Sequence, residues 1–298
     1  MPLIDTPPSL PEAVRSRLAQ ATRFFTPVDG GRMSWYAWGN AHSAQPPVVL
    51  FHGGSGSWTH WVHAILPLVD AGRYVVAADL PGFGQSDKPD RGGDADALSE
   101  PLAQGLANLF EGRPIHLVGF SFGGLSAGLM LAAEAERERR GEPRRVNAQR
   151  MVFVGAPAMG VVPERQFELK AWRHLETEAE RDAIHKYNLG ALMLAHPQNI
   201  EGLAFEIHKA NMANDRGGRR RLAHTDILAR SLPPVTSEVY AIYGQYDALY
   251  KAWIGQLEAA YRQAAPQFKG MQLIEGAGHW VQFEAPEAFN TALAQVLA

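Results

Sequence analysis

Short apolar runs at residues 48–51, 74–78, 115–118 and 151–154 alternate with stretches of helical character, and this alternation limits what the chain can build. Each run is rich in β-branched or aromatic side chains and is closed by turn residues, the pattern of a strand buried on both faces. The segments between them, at 58–69, 98–111 and 123–139, carry helical periodicity. Such alternation predicts an α/β fold, with a mostly parallel sheet and helices on both faces. Two further runs, 24–26 and 33–38, flank Asp29-Gly30-Gly31 and predict an antiparallel hairpin at the start of the sheet.

The alternation stops after Pro157. From 157 to 235 the chain is rich in Glu, Arg, Ala and Leu, with no strand pattern. Strand signals resume at 239–243 and 271–274, with helices expected at 252–264 and 286–297. The simplest organisation is one α/β core, residues 1–156 and 236–298, with a helical cap, 157–235, inserted between its halves. A separate helical domain is the alternative. The insertion leaves the sheet at the strand C-termini, so it is expected to lie across that edge. Trp172, Leu189, Leu192, Met193, Leu194 and Leu203 should then turn partly inward. The basic run at 216–221 is short and reads as a solvated loop.

Composition removes several functions. Among 298 residues, 28 Lys and Arg face 31 Asp and Glu, a net charge of -3. That balance argues against a nucleic-acid or anionic-membrane partner, which selects strongly basic faces. With no cysteine, disulfides, thiolate metal sites and a cysteine nucleophile are all excluded. Residues 1–10 hold prolines and an acid and lack a leader's apolar core, so no signal peptide is expected. The longest apolar stretch, 124–133, is about half a membrane span. These features predict a soluble, cytoplasmic protein, and they leave the oligomeric state open.

The chemistry concentrates in Gly119-Phe120-Ser121-Phe122-Gly123-Gly124, which follows the strand at 115–118 and opens a helix. A serine on a sharp strand-to-helix turn is held strained and exposed, and it needs small residues two positions to either side. Ser121 is the candidate nucleophile. A base must come from elsewhere. His279 lies in Glu275-Gly276-Ala277-Gly278-His279-Trp280, just after the last strand, where open α/β sheets place their sites. The acid belongs after the preceding strand, where Asp247 ends Tyr243-Gly244-Gln245-Tyr246-Asp247. Upstream, Phe51-His52-Gly53-Gly54-Ser55-Gly56 follows a strand and can bring a backbone amide beside the serine. An oxyanion hole is therefore assigned to the N–H groups of Gly54 and Phe122, with Ser55 as the substitute for Gly54. His52 is expected to order this loop, and His60 and His63 to be bystanders. Neither P-loop nor dinucleotide spacing is present, nor any His-x-His or His-Glu-x-x-His metal spacing, so no metal or cofactor is called for.

With these motifs in place, the chain resembles an α/β-hydrolase superfamily member over roughly residues 24–156 and 236–297. Asp79-Leu80-Pro81-Gly82-Phe83-Gly84 matches that family's turn after the next strand, and the insertion resembles its helical cap. Gly278-His279-Trp280-Val281-Gln282-Phe283-Glu284 is similar to the stretch around the catalytic histidine of C–C bond hydrolases acting on meta-cleavage products. The chain departs from those enzymes by carrying Phe120 before the serine, where Asn is usual, and Gly53-Gly54-Ser55-Gly56 in the oxyanion loop. The departures imply a more apolar pocket, with Trp58, Trp61, Phe120, Phe122 and Trp280 as candidate walls. The resemblance implies a cofactor-free serine hydrolase of a carboxylic ester or related acyl compound. C–C bond hydrolysis is the alternative, and a non-catalytic binding protein on the same scaffold is the third.

Overall fold

The computed structural model describes residues 10–90, 92–164 and 167–298. Residues 1–9, most of the stretch expected to lack a leader, lie outside them. The elements run α1 (Glu12–Ala19), β1 (Thr22–Val28), β2 (Gly31–Trp38), β3 (Val48–Phe51), α2 (Ile65–Asp70), β4 (Val75–Ala78), α3 (Ser99–Phe110), β5 (Ile115–Phe120), α4 (Phe122–Arg139) and β6 (Ala148–Val154). They continue through α5 (Glu178–Asn188), α6 (Leu203–Ala213), α7 (Ile227–Ser231), β7 (Glu238–Gly244), α8 (Leu257–Ala264), β8 (Phe268–Ile274), α9 (Val281–Glu284) and α10 (Pro286–Leu297).

Among the described residues eight strands form one sheet, in the order β1-β2-β4-β3-β5-β6-β7-β8. β1 and β4 each pair antiparallel with β2, and every other pairing is parallel. The continuous apolar runs follow from coverage on both faces. In β3, Val49 and Phe51 join the cluster beneath α3, α4 and α8, while Val48 and Leu50 join the one beneath α2 and α10. β5 divides likewise, Ile115 and Leu117 to one face, Val118 and Phe120 to the other. Such runs have no polar face because neither face meets water.

Two helical expectations change. The segment 58–69 is a 3₁₀ turn, Trp58–Trp61, followed by the short α2. Ser57 Oγ accepts from the Thr59 amide and starts the turn, and both tryptophans plug the core at 4% and 0% exposure. Segment 252–264 likewise begins as a 3₁₀ turn, Lys251–Gln256, before α8. The short α1, which buries Val14 and Leu18, carries no expectation from sequence. Between β6 and β7 the chain forms α5, α6 and α7 and no strand among the described residues. No helix among them is long and apolar enough to cross a membrane.

Candidate active site

β5 ends at Phe120 and α4 begins at Phe122, so Ser121 is the whole turn between them. Its backbone has φ 48° and ψ -117°, a left-handed conformation that costs a non-glycine residue about 1–3 kcal/mol. The neighbouring glycines make the turn possible. A Cβ at Gly119 would stand 2.6 Å from Gly124 Cα, and one at Gly123 would stand 2.6 Å from the Phe51 carbonyl oxygen.

Three side chains from three loops meet here. His279 Nε2 lies 2.9 Å from Ser121 Oγ, and His279 Nδ1 lies 2.8 Å from Asp247 Oδ2. A carboxylate only accepts, so Nδ1 carries the proton and Nε2 is free to accept from the serine hydroxyl. Asp247 is fully buried, and its other oxygen accepts from the Leu249 amide at 2.9 Å. Gly155 at the end of β6 (φ 54°) leaves room for the pair; a Cβ there would stand 3.1 Å from the His279 ring. Nothing in its local sequence marks that requirement.

Ser121 and His279 open onto a cleft of about 150 Å³. Gly54, Phe120 and Phe122 share its wall with Phe167, Leu169, Leu192, Met193 and Arg220. Phe122 is the first residue of α4, where amides have no intrahelical acceptor. Trp58 and Trp280 are absent from that wall. Trp280 is fully buried and donates from Nε1 to the His60 carbonyl, and Trp58 lies beside Tyr36 and Trp38. Both are core, Trp58 on the turn after β3 and Trp280 on the loop after β8, packed in the cluster beneath α2 and α10. Ser55 is not on the wall either; its hydroxyl donates to Asp215.

The loop carrying Gly53 and Gly54 is gripped by two histidines. His52 Nε2 accepts from the Leu80 amide at 2.9 Å, so its Nδ1 holds the proton and donates to the Gly53 carbonyl at 2.6 Å. His60 Nδ1 accepts from the Gly53 amide at 3.2 Å. His60 is therefore no bystander, a contact that spacing alone could not reveal. His63 stacks on Phe283, away from the cleft wall.

The run at 216–221 is a solvated loop only in part. Arg216 Nη2 donates to the Gly84 and Ser86 carbonyls, and Asp94 accepts from the Arg221 and Leu222 amides. Arg220 reaches the cleft. Arg216, Gly218, Arg219 and Arg221 are exposed, while Gly217 and Arg220 are half-buried. Clustered charge suggested solvation, but Arg216 and the 221–222 backbone find partners more than 120 residues away, and Arg220 pairs with nearby Asp215.

On the histidine side the insertion is stapled by Glu284. Its carboxylate accepts from the amides of Gly278, Ala195 and His196 at 2.6, 2.9 and 2.9 Å, and from Asn199 Nδ2 at 3.1 Å. The Trp280 amide also donates to the Met193 carbonyl at 2.7 Å. Glu284→Ala leaves four donors without their acceptor, and unsatisfied donors cost about 1–3 kcal/mol each before water reaches them. The expected loss is about 2–4 kcal/mol in urea unfolding; a change below about 0.5 kcal/mol would show that water replaces the carboxylate freely.

Burial also sets an acid limit. It pushes His52 down to about 4 and His208 to about 3, and holds His60 well below the usual imidazole range. Values below the unfolded one, about 6.5, mean that the fold binds fewer protons than the open chain. Their contribution to stability is complete above about pH 6.5 and is lost as the pH falls towards 4. Asp79 acts in the opposite sense. Burial raises it to about 6 against the amides of Gln85 and Trp58, so its contribution returns as the pH falls through 6. His116 is lowered to about 4 in the same way, so the depressed imidazoles outweigh Asp79 and the net expectation is a loss of stability between about pH 6.5 and 5, read as a falling urea midpoint. A midpoint constant over that range would contradict neutral, desolvated imidazoles.

The sequence matches the model of the alpha/beta hydrolase family over residues 48–292. The chain belongs to that family. This α/β hydrolase is 25% identical, over 94% of its length and 96% of the relative's, to a 2-hydroxy-6-oxononadienedioate/2-hydroxy-6-oxononatrienedioate hydrolase of Cupriavidus pinatubonensis. It is 28% identical, over 88% of its own length and 66% of the relative's, to the dihydrolipoyllysine-residue acetyltransferase component of an acetoin cleaving system of Pseudomonas putida. The fold superposes on carboxylesterase CesB of Bacillus subtilis with a TM-score of 0.71 at 17% identity, covering 96% and 95% of the two chains. Naproxen esterase of the same organism gives 0.71 at 18% identity, covering 96% of each. The hydrolase assignment rests on the family match; the structural likeness speaks for the fold.

Proposed function

We propose that this α/β hydrolase cleaves carboxylic esters or related small acyl compounds, with Ser121 as nucleophile, His279 as base and Asp247 as the acid that orients it. The supporting observation is the unbroken hydrogen-bond chain from Asp247 through His279 to Ser121 Oγ, ending on a strained, cleft-facing turn. Ser121 Oγ attacks the acyl carbon while His279 Nε2 takes its proton. The amides of Gly54 and Phe122 hold the tetrahedral oxyanion. His279 then protonates the leaving group, and water repeats the sequence on the acyl-enzyme, with no cofactor in any step. Residues 157–235 act as the cap over this cleft, set on a core of residues 1–156 and 236–298. Phe167, Leu169, Leu192, Met193 and Arg220 are among its contributions to the wall. The lack of cysteine agrees with a cytoplasmic setting.

C–C bond hydrolysis is the second reading, favoured by the near full-length similarity to a dienedioate hydrolase. The wall opposes it in part, because Phe120, Phe122, Phe167, Leu169, Leu192 and Met193 are apolar and Arg220 is its one Lys or Arg among the described residues. Fluorophosphonate labelling tests the nucleophile, and a p-nitrophenyl ester panel set against a 2-hydroxy-6-oxo dienoate tests the bond. We expect labelling at Ser121 and faster turnover of esters. A folded sample that resists the probe would remove the triad; faster cleavage of the dienoate would replace the ester reading with the second.

A further inference from the structure

A second set of contacts joins the inserted segment to the oxyanion loop, and it has no part in the proton chain. Ser55 carries φ 51°, a left-handed conformation that a side chain with a Cβ disfavours. Its hydroxyl donates to Asp215 Oδ2 at 2.6 Å and accepts from Arg220 Nη2 at 3.0 Å. The same Nη2 donates to Asp215 Oδ2 at 2.6 Å, closing a triangle across partners 160 and 165 residues from Ser55. Asp215 is held in turn: Oδ1 accepts from the Gly217 amide at 2.9 Å, and its side chain is 7% exposed. Arg220 then extends over Gly54. Its Nη1 occupies the place that a Cβ at Gly54 would need. Its guanidinium carbon lies 5.3 Å from the Phe83 ring centre and 5.7 Å from that of Phe122.

We propose that Asp215 and Arg220 are positioning residues for the oxyanion hole. They hold Ser55 in its strained conformation and clamp Gly54 against Phe122, so the two donor amides reach catalytic spacing only with the inserted segment docked. The inference rests on the proposed triad. Charge is not the agent, because the guanidinium and the Asp215 carboxylate neutralise each other at 2.6 Å. Geometry is. A loop of Gly53, Gly54, Ser55 and Gly56 has little stiffness of its own, and the two histidines hydrogen-bond only its first residue, with the His60 ring also packed on Gly56. The triangle holds Ser55, beside the donor amide of Gly54.

The test uses Ser55→Ala, Asp215→Ala and the double variant, with Arg219→Ala, an exposed neighbour, as control. Two quantities are read: kcat and KM for a p-nitrophenyl ester, and the inhibition constant of a trifluoromethyl ketone, whose adduct places an oxyanion in the hole. Removing one donor from such a hole costs about 10²–10³ in rate, and displacing one costs less. Each single variant is expected to lower kcat about 10- to 100-fold with KM within about threefold, and to weaken the ketone by the same factor. The double variant should be no worse than the more severe single, because both break one triangle. Arg219→Ala should match the wild type. If Asp215→Ala fails to fold, Asp215→Asn keeps an acceptor for Ser55 and loses the ion pair, and it should show the same split at smaller size. Variants with kcat within about twofold of wild type, a loss confined to KM, or effects that multiply in the double variant would each overturn the clamp. A wild type that labels at Ser121 and turns over ester alongside indifferent variants overturns the clamp alone. A folded wild type that neither labels nor turns over overturns the triad and the clamp together.

Discussion

Ser121→Ala will lower kcat/KM by about 10³-fold or more, because the covalent route disappears while the oxyanion donors and the cleft remain. Stability should hardly change. Alanine meets the same left-handed backbone penalty as serine, and the lost hydroxyl makes one hydrogen bond, to His279. Ser121→Gly should be as inactive and more stable than Ser121→Ala by about 1 kcal/mol, since glycine takes φ 48° without strain. Steady-state rates and urea midpoints of the two variants are the measurements. Activity within about tenfold of wild type in either would remove Ser121 from the role of nucleophile.

Asp247→Asn will lower kcat by about 10³–10⁴-fold, and the structure supplies the reason. Oδ1 of Asp247 accepts from the Leu249 amide, so the asparagine carbonyl will be drawn to that donor. Its NH₂ then faces His279 Nδ1, where the carboxylate oxygen stood. Two donors cannot share that contact. The imidazole must shift its proton to Nε2, and Nε2 can then no longer accept from Ser121. Nitrogen NMR of the labelled histidine should report the tautomer change alongside the loss of rate. An asparagine variant that keeps more than a tenth of the rate would mean that another group orients His279. Glu275 is exposed, and Asp79 is bound to the Trp58 and Gln85 amides, so neither is placed to substitute.

The strands and the elbow were legible because their signals are local. A run such as Val48–Phe51 is apolar throughout since both faces are covered, and Gly119 and Gly123 announce a close approach between neighbouring elements. Helices were legible where amphipathic, as in 98–111, and misjudged where tertiary packing overrode periodicity, as at Trp58–Trp61. The supporting residues of the site were not legible. His60, Asp215, Arg220 and Glu284 act through partners 7, 160, 165 and 6 to 89 residues away. Nothing in a charge run at 216–221 distinguishes an arginine in solvent from one pressed on a glycine. Trp58 and Trp280 show the converse error, aromatic residues near a motif that belong to the core.

Glu284 and the Asp215–Arg220 pair differ in what they demand of a partner. Glu284 belongs to the segment after β8 and takes mainly main-chain amides of the insertion, which any sequence following the same course can offer. The Ser55 contact runs the other way, since it needs a carboxylate and a guanidinium at fixed positions in the insertion. On the proposed reading of 157–235 as a cap, chimeras that graft a foreign segment there are expected to fail asymmetrically. The imidazole edge will accept a transplant by shape alone, whereas the amide edge will need the Asp215 and Arg220 side chains carried across, or a glycine introduced at 55. If the clamp holds, recombination at this segment has one permissive seam and one exacting seam, and the exacting one decides which chimeras remain active.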